Sequence, residues 1–284
     1  MRLKPLRKTC LASFLIAASV LIFVPAKASE KDATATYKET IEFIKEHKIS
    51  AYYKNDSEAA LVFFGSRHTF NSGDPQLKAI ENFFALLKPT LVLTEGGRWP
   101  VAKDKVAAIT AYSEMGFLTF LAHANEVKFD SLDLDYQAQV NYALKRHDPL
   151  DVSVYTIIRL IPQWRDQYGY EAISRKIDQY LANEEFKNTF PLNTGPKNFN
   201  ELKAYCAQKF PDVKNILDFD YHLTANGIQP DVLMKVSASF SEVRDAYMEK
   251  KIMQEIEKGE RVFAIAGTPH LAKIVPNLLK KYSN

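Results

Sequence analysis

The sequence has little cysteine: Cys10 and Cys206 are the two residues of this type among 284. Cys10 lies in the first 28 residues, which we expect to be removed. An internal disulfide is then excluded, and core packing must supply most of the stability. Cys206 lies in AYCAQKF, a stretch that predicts the interior of a helix. A thiol in such a place is a poor nucleophile.

Several motifs that identify large enzyme classes are also missing. The chain has no glycine-rich phosphate loop, no G-x-S-x-G elbow, no H-E-x-x-H and no C-x-x-C. Nucleotide-dependent, serine-hydrolase and zincin interpretations therefore have no support. No repeat of 20–50 residues and no low-complexity tract occurs, and 46% hydrophobic with 25% charged residues is an ordinary globular composition.

The first 28 residues have the three parts of a secretory signal. MRLKPLRK is positively charged, LASFLIAASVLIFVP is apolar, and AKA before Ser29 fits a cleavage site. The apolar part is shorter than the roughly 20 residues that span a bilayer. We therefore expect an exported protein, periplasmic or secreted, with no stable membrane anchor after cleavage.

The positive charge of the whole chain belongs to this same segment. Lysine and arginine number 37 against 34 acidic residues, and five of the 37 lie within residues 1–28. The remaining chain carries a net charge of about −2. Because it has no basic patch with interleaved aromatic residues, we expect no nucleic-acid partner.

Apolar runs typical of buried strands alternate with helical periodicity in the first half of the chain. The runs are AALVFFG, TLVLTEGG, VKFDSLDLD and, near the other end, RVFAIAG. This alternation argues for parallel strands joined by crossovers. Residues 136–240 have mainly helical periodicity. We predict one α/β domain over residues 29–284, with a mostly parallel sheet core built from both chain ends and a helical cap over 136–240. A pocket is expected at the seam between core and cap.

Helices of the core are predicted from periodicity and capping residues, and one of them starts at TPHLAKIVPNLL after the last strand. Asp74 and Pro75 suit the start of DPQLKAIENFFALL, where they would cap the helix and open its first turn. The other predictions are TYKETIEFIKEH, residues 103–115, and SFSEVRDAYMEKKIMQEIEKG.

Two predicted strands end with a glycine followed, three residues later, by a histidine. The pairs are Gly65 with His68, in GSRH, and Gly267 with His270, in GTPH. Because the carboxyl ends of parallel strands converge on one sheet edge, we expect the two imidazoles to lie together. Thr268 suits a helix cap, so His270 is predicted in a first turn, where the helix dipole favours a neutral ring.

Glu95 follows the apolar run LVLT and precedes two glycines, so it does not belong to the solvent-exposed face of a helix or strand, where a carboxylate would be expected. If its strand neighbours the other two, Glu95 meets His68 and His270. Two histidines and a carboxylate are frequent ligands of a catalytic divalent ion. The alternative without a metal makes one histidine the general base, oriented by the glutamate.

Arg244 lies on the apolar face of its predicted helix, in EVRDAYMEKKI. An arginine buried there needs an anion, which Glu95, a substrate carboxylate or a developing oxyanion would supply. The simpler interpretation is an ion pair with Asp245 or Glu249.

Other polar residues are weaker candidates. Arg67 and Asn71 flank His68, and Asp133 and Asp135 end the third predicted strand. Three other histidines have no spacing that pairs them, and we expect them to be structural or exposed: His123, His147 and His222.

The segments GSRH, LVLTEGG, RDAYM and VFAIAGTPH occur in that order, and together they resemble the TraB/Tiki superfamily, which also includes ChaN-like and erythromycin-esterase-like proteins. The stretch from LDLDYQAQ to IPQWR is similar to the middle helical segment of that superfamily. The similarity covers most of residues 58–282. Ser66 differs from esterase-like and ChaN-like relatives, which tend to have a glutamate there, and Asp245 replaces a commoner asparagine.

The resemblance implies an α/β core with a helical cap and, as in Tiki-like members, a metal-dependent protease. Its functional set would be His68, Glu95, Arg244 and His270. We expect His68, Glu95 and His270 to bind a divalent ion, Mn, Co, Zn or Fe, or to activate water directly, while Arg244 stabilises negative charge. The expected substrate is a peptide or another small molecule. The alternatives are a metal-free esterase-like hydrolase, or a non-catalytic protein that binds haem, a metal or a small ligand.

Overall fold

A five-stranded sheet forms the centre of the molecule, and its strands come from both ends of the chain. They are β1 (Ser50–Lys54), β2 (Ala60–Ser66), β3 (Leu91–Thr94), β4 (Lys128–Ser131) and β5 (Arg261–Gly267). Their order across the sheet is β1-β2-β5-β3-β4. β2, β5, β3 and β4 are parallel, whereas β1 pairs antiparallel with β2. The predicted α/β class with a mostly parallel sheet is confirmed, and β1 is an edge strand that the sequence analysis did not predict.

The structure is a computed structural model that describes residues 50–54, 59–190, 194–211, 213, 215–219 and 231–282. The predicted signal segment, the predicted helix TYKETIEFIKEH and His222 lie outside these residues. None of the helices in the described ranges is long and apolar enough to cross a membrane.

Ten α-helices accompany the sheet in the described residues. Their bounds are α1 (Pro75–Leu87), α2 (Lys105–Ala124), α3 (Tyr136–Leu144), α4 (Pro149–Ile158), α5 (Ile161–Tyr168), α6 (Ile173–Ala182), α7 (Glu184–Thr189), α8 (Phe199–Lys209), α9 (Asp231–Glu257) and α10 (Thr268–Tyr282). The Asp74 carboxylate caps α1 by accepting from the backbone N–H of Gln76, as predicted. Two short 3-10 turns, Tyr170–Ala172 and Ile216–Asp218, connect cap helices.

Three predicted element bounds were wrong. Helix α2 extends to Ala124 rather than ending near residue 115, although its backbone is interrupted at Tyr112 and Ser113. Helix α9 begins at Asp231, eight residues before its predicted start. Strand β4 ends at Ser131, because the carboxylate of Asp135 already caps α3.

Both faces of the sheet are buried, and the alternation of residues along its strands shows how. In β2, Leu61 and Phe63 join a cluster formed with α9 and α10, while Val62 and Phe64 point into a second cluster formed with α1 and α2. β5 alternates in the same way. Because successive residues point to opposite faces and both faces are buried, apolar residues occupy successive positions along these strands, which explains their uninterrupted hydrophobic runs. A third cluster, centred on α4, forms the core of the cap.

Candidate functional site

The carboxyl ends of β2, β5 and β3 lie side by side at one edge of the sheet. Ser66 at the end of β2 is in register with Gly267 at the end of β5, and Thr94 of β3 is in register with Ile265. The C-terminal strand is therefore inserted between two strands from the first third of the chain. The residues that follow these three strands, including His68, Glu95 and His270, are brought to the same edge, as the sequence analysis expected.

Arg244, from α9, binds two carboxylates at this edge. Its Nε donates to Oδ1 of Asp133 at 2.7 Å and its Nη2 to Oδ2 at 2.9 Å. Nη2 also forms a short hydrogen bond to Oε1 of Glu95. These three side chains are at most 14% exposed. Glu95 is thus the anion that a buried Arg244 needs, and the alternative of a pair with Asp245 or Glu249 is wrong.

The second oxygen of Glu95 is bound by the main chain. The backbone N–H of Gly267 donates to Oε2 at 2.6 Å, and a Cβ at position 267 would lie 3.4 Å from that oxygen. The end of β5 therefore contacts the carboxylate through its main chain. Burial raises the pKa of Glu95, but the charges of Arg244 and His270 outweigh burial and hold this pKa well below its usual range.

His270 lies in the first turn of α10 and is 8% exposed. Its Nδ1 makes a short hydrogen bond with Asp245, and its Nε2 lies 3.3 Å from Oε1 of Glu95. Burial lowers the pKa of His270, but the two carboxylates outweigh burial and raise the pKa to about 9. The prediction of a neutral ring was wrong, because two nearby anions exceed the effect of the helix dipole. The Thr268 hydroxyl donates to the carbonyl of Ser66 at 3.0 Å.

His68 occupies the loop after β2, and its side chain is 43% exposed. Its Nδ1 lies 3.0 Å from Oε1 of Glu114. The partial loss of hydration lowers the pKa of His68, but the hydrogen bond and charge of Glu114, with a smaller contribution from Glu95, raise the pKa to about 9. The Nδ1 contact leaves Nε2 as the nitrogen free for another partner.

Glu114 was missed by the sequence analysis, although it is fully buried beside His68. Its carboxylate accepts from the hydroxyl of Ser66 at 2.9 Å and from the backbone N–H of Thr69 at 3.0 Å, in addition to the His68 contact. A signal was present in the sequence: Glu114 is an acid directly before the apolar stretch MGFLTFLA. An acid in such a place needs polar partners from elsewhere in the fold.

The site opens onto a cleft of about 880 Å³ between the core and the cap. His68, Glu95 and Arg244 lie on its core side, whereas His270 is behind them and does not line it. Aromatic side chains and side-chain amides form much of the remaining wall: Phe70, Trp99, Tyr112, Tyr136, Trp164, Gln139, Gln163 and Gln167. The cleft lies at the seam where a pocket was expected.

The weaker candidates divide into two groups. Asp133 is central because it binds Arg244, and Asp135 lines the cleft while capping α3. Arg67 is 70% exposed and pairs with Asp74, and Asn71 closes its own turn by accepting from the N–H of Gly73. Neither Arg67 nor Asn71 lines the cleft.

Within the described residues, His123, His147 and Cys206 lie away from the site. His123 is exposed at the end of α2, and Nε2 of His147 lies 2.8 Å from the Ser239 hydroxyl. Cys206 is buried, and burial raises the pKa of its thiol to about 12. Cys206 is therefore unreactive as a nucleophile, as predicted.

The expected metal ligands come together only in part. Each histidine has its Nδ1 on a buried carboxylate, an arrangement that metal-binding histidines use to orient Nε2. Both oxygens of Glu95, however, already accept hydrogen bonds. Within the described residues, no group of three or more His, Cys, Asp or Glu side chains is arranged to hold a metal ion.

The comparisons with known proteins give no further assignment. No protein-family model, no curated protein and no solved structure matches this chain.

Proposed function

We propose that this chain is a hydrolase of TraB/Tiki type, most consistent with a peptidase, whose site lies at the carboxyl edge of the sheet. The observation that carries the proposal is the pair of imidazoles with Nδ1 bound to Glu114 and Asp245, beside the Arg244–Glu95 pair. Nucleophile-activating and charge-stabilising groups then stand together in a cleft. Export rests on residues 1–28, which lie outside the described residues.

His68 is the group that meets the substrate, because it is the imidazole that lines the cleft. In its neutral form, Nε2 takes a proton from the attacking water as the water oxygen bonds to the substrate carbonyl carbon. The proton is then delivered to the leaving nitrogen or oxygen when the carbonyl–nitrogen or carbonyl–oxygen bond breaks. Because the pKa of His68 is about 9, this neutral form is a minor one at neutral pH, and the step should become faster as the pH rises towards 9.

Arg244 supports this step through its charge. Its Nε and Nη2 are fixed by Asp133 and Glu95, and the side chain lines the cleft. Hydrogen bonds of this kind hold the guanidinium in place before substrate binds, so that it stabilises negative charge on the tetrahedral oxygen without reorganising. His270, behind Glu95, holds that carboxylate in position.

The donor types of the site suit a divalent ion, although both oxygens of Glu95 already accept hydrogen bonds and Nε2 of His270 lies beside one of them. Four carboxylates face two permanent cations there: Glu95, Glu114, Asp133 and Asp245 against Arg244 and Lys273. The residues that would hold the ion are His68 and His270, through Nε2, and Glu95. When bound, such an ion polarises a carbonyl and lowers the pKa of a water molecule. Since its ligands must be deprotonated, binding would release protons and weaken at low pH.

The cleft supports a peptide more than a small ester. A volume of about 880 Å³ is near the upper end of small-molecule pockets and leaves room for several residues of an extended chain. Side-chain amides on its wall, such as Gln163 and Gln167, match the donors and acceptors of a peptide backbone.

The test is hydrolysis of a fluorogenic peptide library, and of ester substrates, by the full chain with EDTA or with Mn, Co, Zn or Fe. We expect turnover that His68→Ala abolishes and that His123→Ala, a change at an exposed histidine outside the cleft, leaves intact. Activity that survives EDTA would support metal-free base catalysis. Stoichiometric metal or haem binding without turnover of any substrate would contradict the proposal and favour a ligand-binding protein.

A further inference from the structure

Helix α2 is broken directly before Glu114. Tyr112 has φ −134° and ψ 17°, and Ser113 has φ 57° and ψ −159°, a conformation that a residue with a side chain rarely adopts. Ser113 is also buried. A buried backbone distortion of this kind costs stability and persists only where surrounding contacts hold it.

Gly116 is part of the same break. A Cβ at position 116 would lie 2.3 Å from Cβ of Tyr112 and 2.9 Å from the carbonyl oxygen of Ala108. The distorted turn therefore requires glycine four residues after Tyr112. The strained residue Ser113 and the close approach at Gly116 lie on either side of Glu114 in the sequence.

Three groups contact the carboxylate of Glu114, and together they determine which nitrogen of His68 carries the hydrogen. Oε1 accepts from Ser66 and faces Nδ1 of His68, and Oε2 accepts from the backbone N–H of Thr69. An ionised carboxylate is an acceptor only, so Nδ1 of His68 must carry the hydrogen. In the neutral imidazole the lone pair is then on Nε2.

We propose that Glu114 is the positioning residue of His68, and that the break in α2 exists to bring this carboxylate to Nδ1. Glu114 selects the Nδ1–H tautomer and so presents the lone pair of Nε2 to the cleft, where it can take a proton or bind a cation. The inference rests on the proposed function only in treating His68 as the working imidazole. The contact between Asp245 and His270 has the same form on the other strand end.

The variant Glu114→Gln tests the proposal because its amide can adopt only one orientation. The Thr69 N–H is solely a donor, so the amide oxygen must face it. The NH₂ group then faces Ser66, whose hydroxyl can accept, and Nδ1 of His68, which must accept as well. We therefore expect the neutral His68 ring to change from the Nδ1–H to the Nε2–H tautomer.

The measurement is the imidazole nitrogen chemical shifts of the ¹⁵N-labelled full chain at pH 10, above the pKa of about 9, with His68→Gln identifying the signals. Wild type should show Nδ1–H at His68, Glu114→Gln should show Nε2–H, and Ser66→Ala should keep Nδ1–H. An Nε2–H ring in wild type would overturn the proposal even if the variant does not fold. An unchanged tautomer in a folded Glu114→Gln chain would also overturn it.

Activity provides a second readout once a substrate is known. We expect kcat of Glu114→Gln to fall about 10- to 100-fold with KM nearly unchanged, as for other residues that orient a functional histidine. A tautomer change in a protein whose wild type hydrolyses no substrate would support the positioning role of Glu114 and contradict the proposed function. Failure of the proposed function can therefore be distinguished from failure of this inference. A kcat equal to that of wild type, with turnover established, would overturn the positioning role.

Discussion

The two glycine–histidine strand ends carry the same sequence signal in different surroundings. The side chain of His68 lies in a loop and is 43% exposed, whereas that of His270 lies in a helix and is 10% exposed. Each Nδ1 is bound by a carboxylate from a helix on a different face of the sheet, Glu114 from α2 and Asp245 from α9. His68 therefore faces the cleft, whereas His270 lies among the buried charges of the site.

The largest effect is expected from Arg244→Ala, which removes the cation on the His270 side. Glu95 and Asp133 would stay buried without it, so the free energy of unfolding should fall by about 3–5 kcal/mol. Urea denaturation followed by tryptophan fluorescence measures this loss. The matched control is Arg98→Ala, an arginine 73% exposed and paired with Asp130 at the surface, for which a much smaller loss is expected. Equal losses in the two variants would contradict the buried network.

The next effect is the pH dependence of stability contributed by His270. Its pKa is raised from 6.5 to about 9 in the folded chain, so the folded state favours the protonated ring. This contribution is fully present below pH 6.5 and is lost as pH rises through 9, and it amounts to at most about 3 kcal/mol. Urea denaturation from pH 6 to 10 should show wild type losing more stability than His270→Gln. If the stability of the two proteins changed with pH in parallel, His270 would not be held as an imidazolium.

A smaller effect on stability is expected from His68→Ala. The ring is partly exposed and makes one hydrogen bond, to a carboxylate that keeps two other donors. We expect a loss of about 1 kcal/mol, less than for His270→Ala under the same conditions, by thermal or urea denaturation. The reverse order would show that the first strand end, not the second, holds the site together.

The smallest effect is expected from Arg67→Ala, although Arg67 is adjacent to His68 in sequence. Its side chain is 70% exposed, pairs with Asp74 at the surface and does not line the cleft. The free energy of unfolding should change by about 0.5 kcal/mol or less. Any hydrolytic rate should stay within about twofold of wild type, and a large loss would place Arg67 in substrate binding.

The sequence predicted the parts of the fold that depend on local pattern. The run RVFAIAG gives β5 with its predicted bounds, and the capping role of Asp74 fixes the start of α1. Glu95 and Arg244 were recognisable because a charged residue stood in an apolar pattern. Asp133 was recognised only as a weaker candidate, since nothing in its local sequence identifies Arg244 as its partner.

The contact of Glu114 with His68 and the charge of His270 were beyond prediction for physical reasons. The inward position of Glu114 depends on the break at Ser113, and a residue with a side chain at φ 57° has no local sequence signature. The pKa of His270 depends on two carboxylates 25 and 175 residues away in the chain. Their combined effect outweighs the helix dipole, which is the part that the local sequence shows.

The sequence by itself determined the four parallel strands, most of the helices and the two histidines that follow strand ends, because these depend on hydrophobic periodicity and on capping residues. Only the tertiary structure decided that β5 lies between β2 and β3, that Glu114 and Asp245 bind the two imidazoles, and that His68 alone of the pair lines the cleft. Contacts between distant segments depend on packing and burial, which no local pattern encodes.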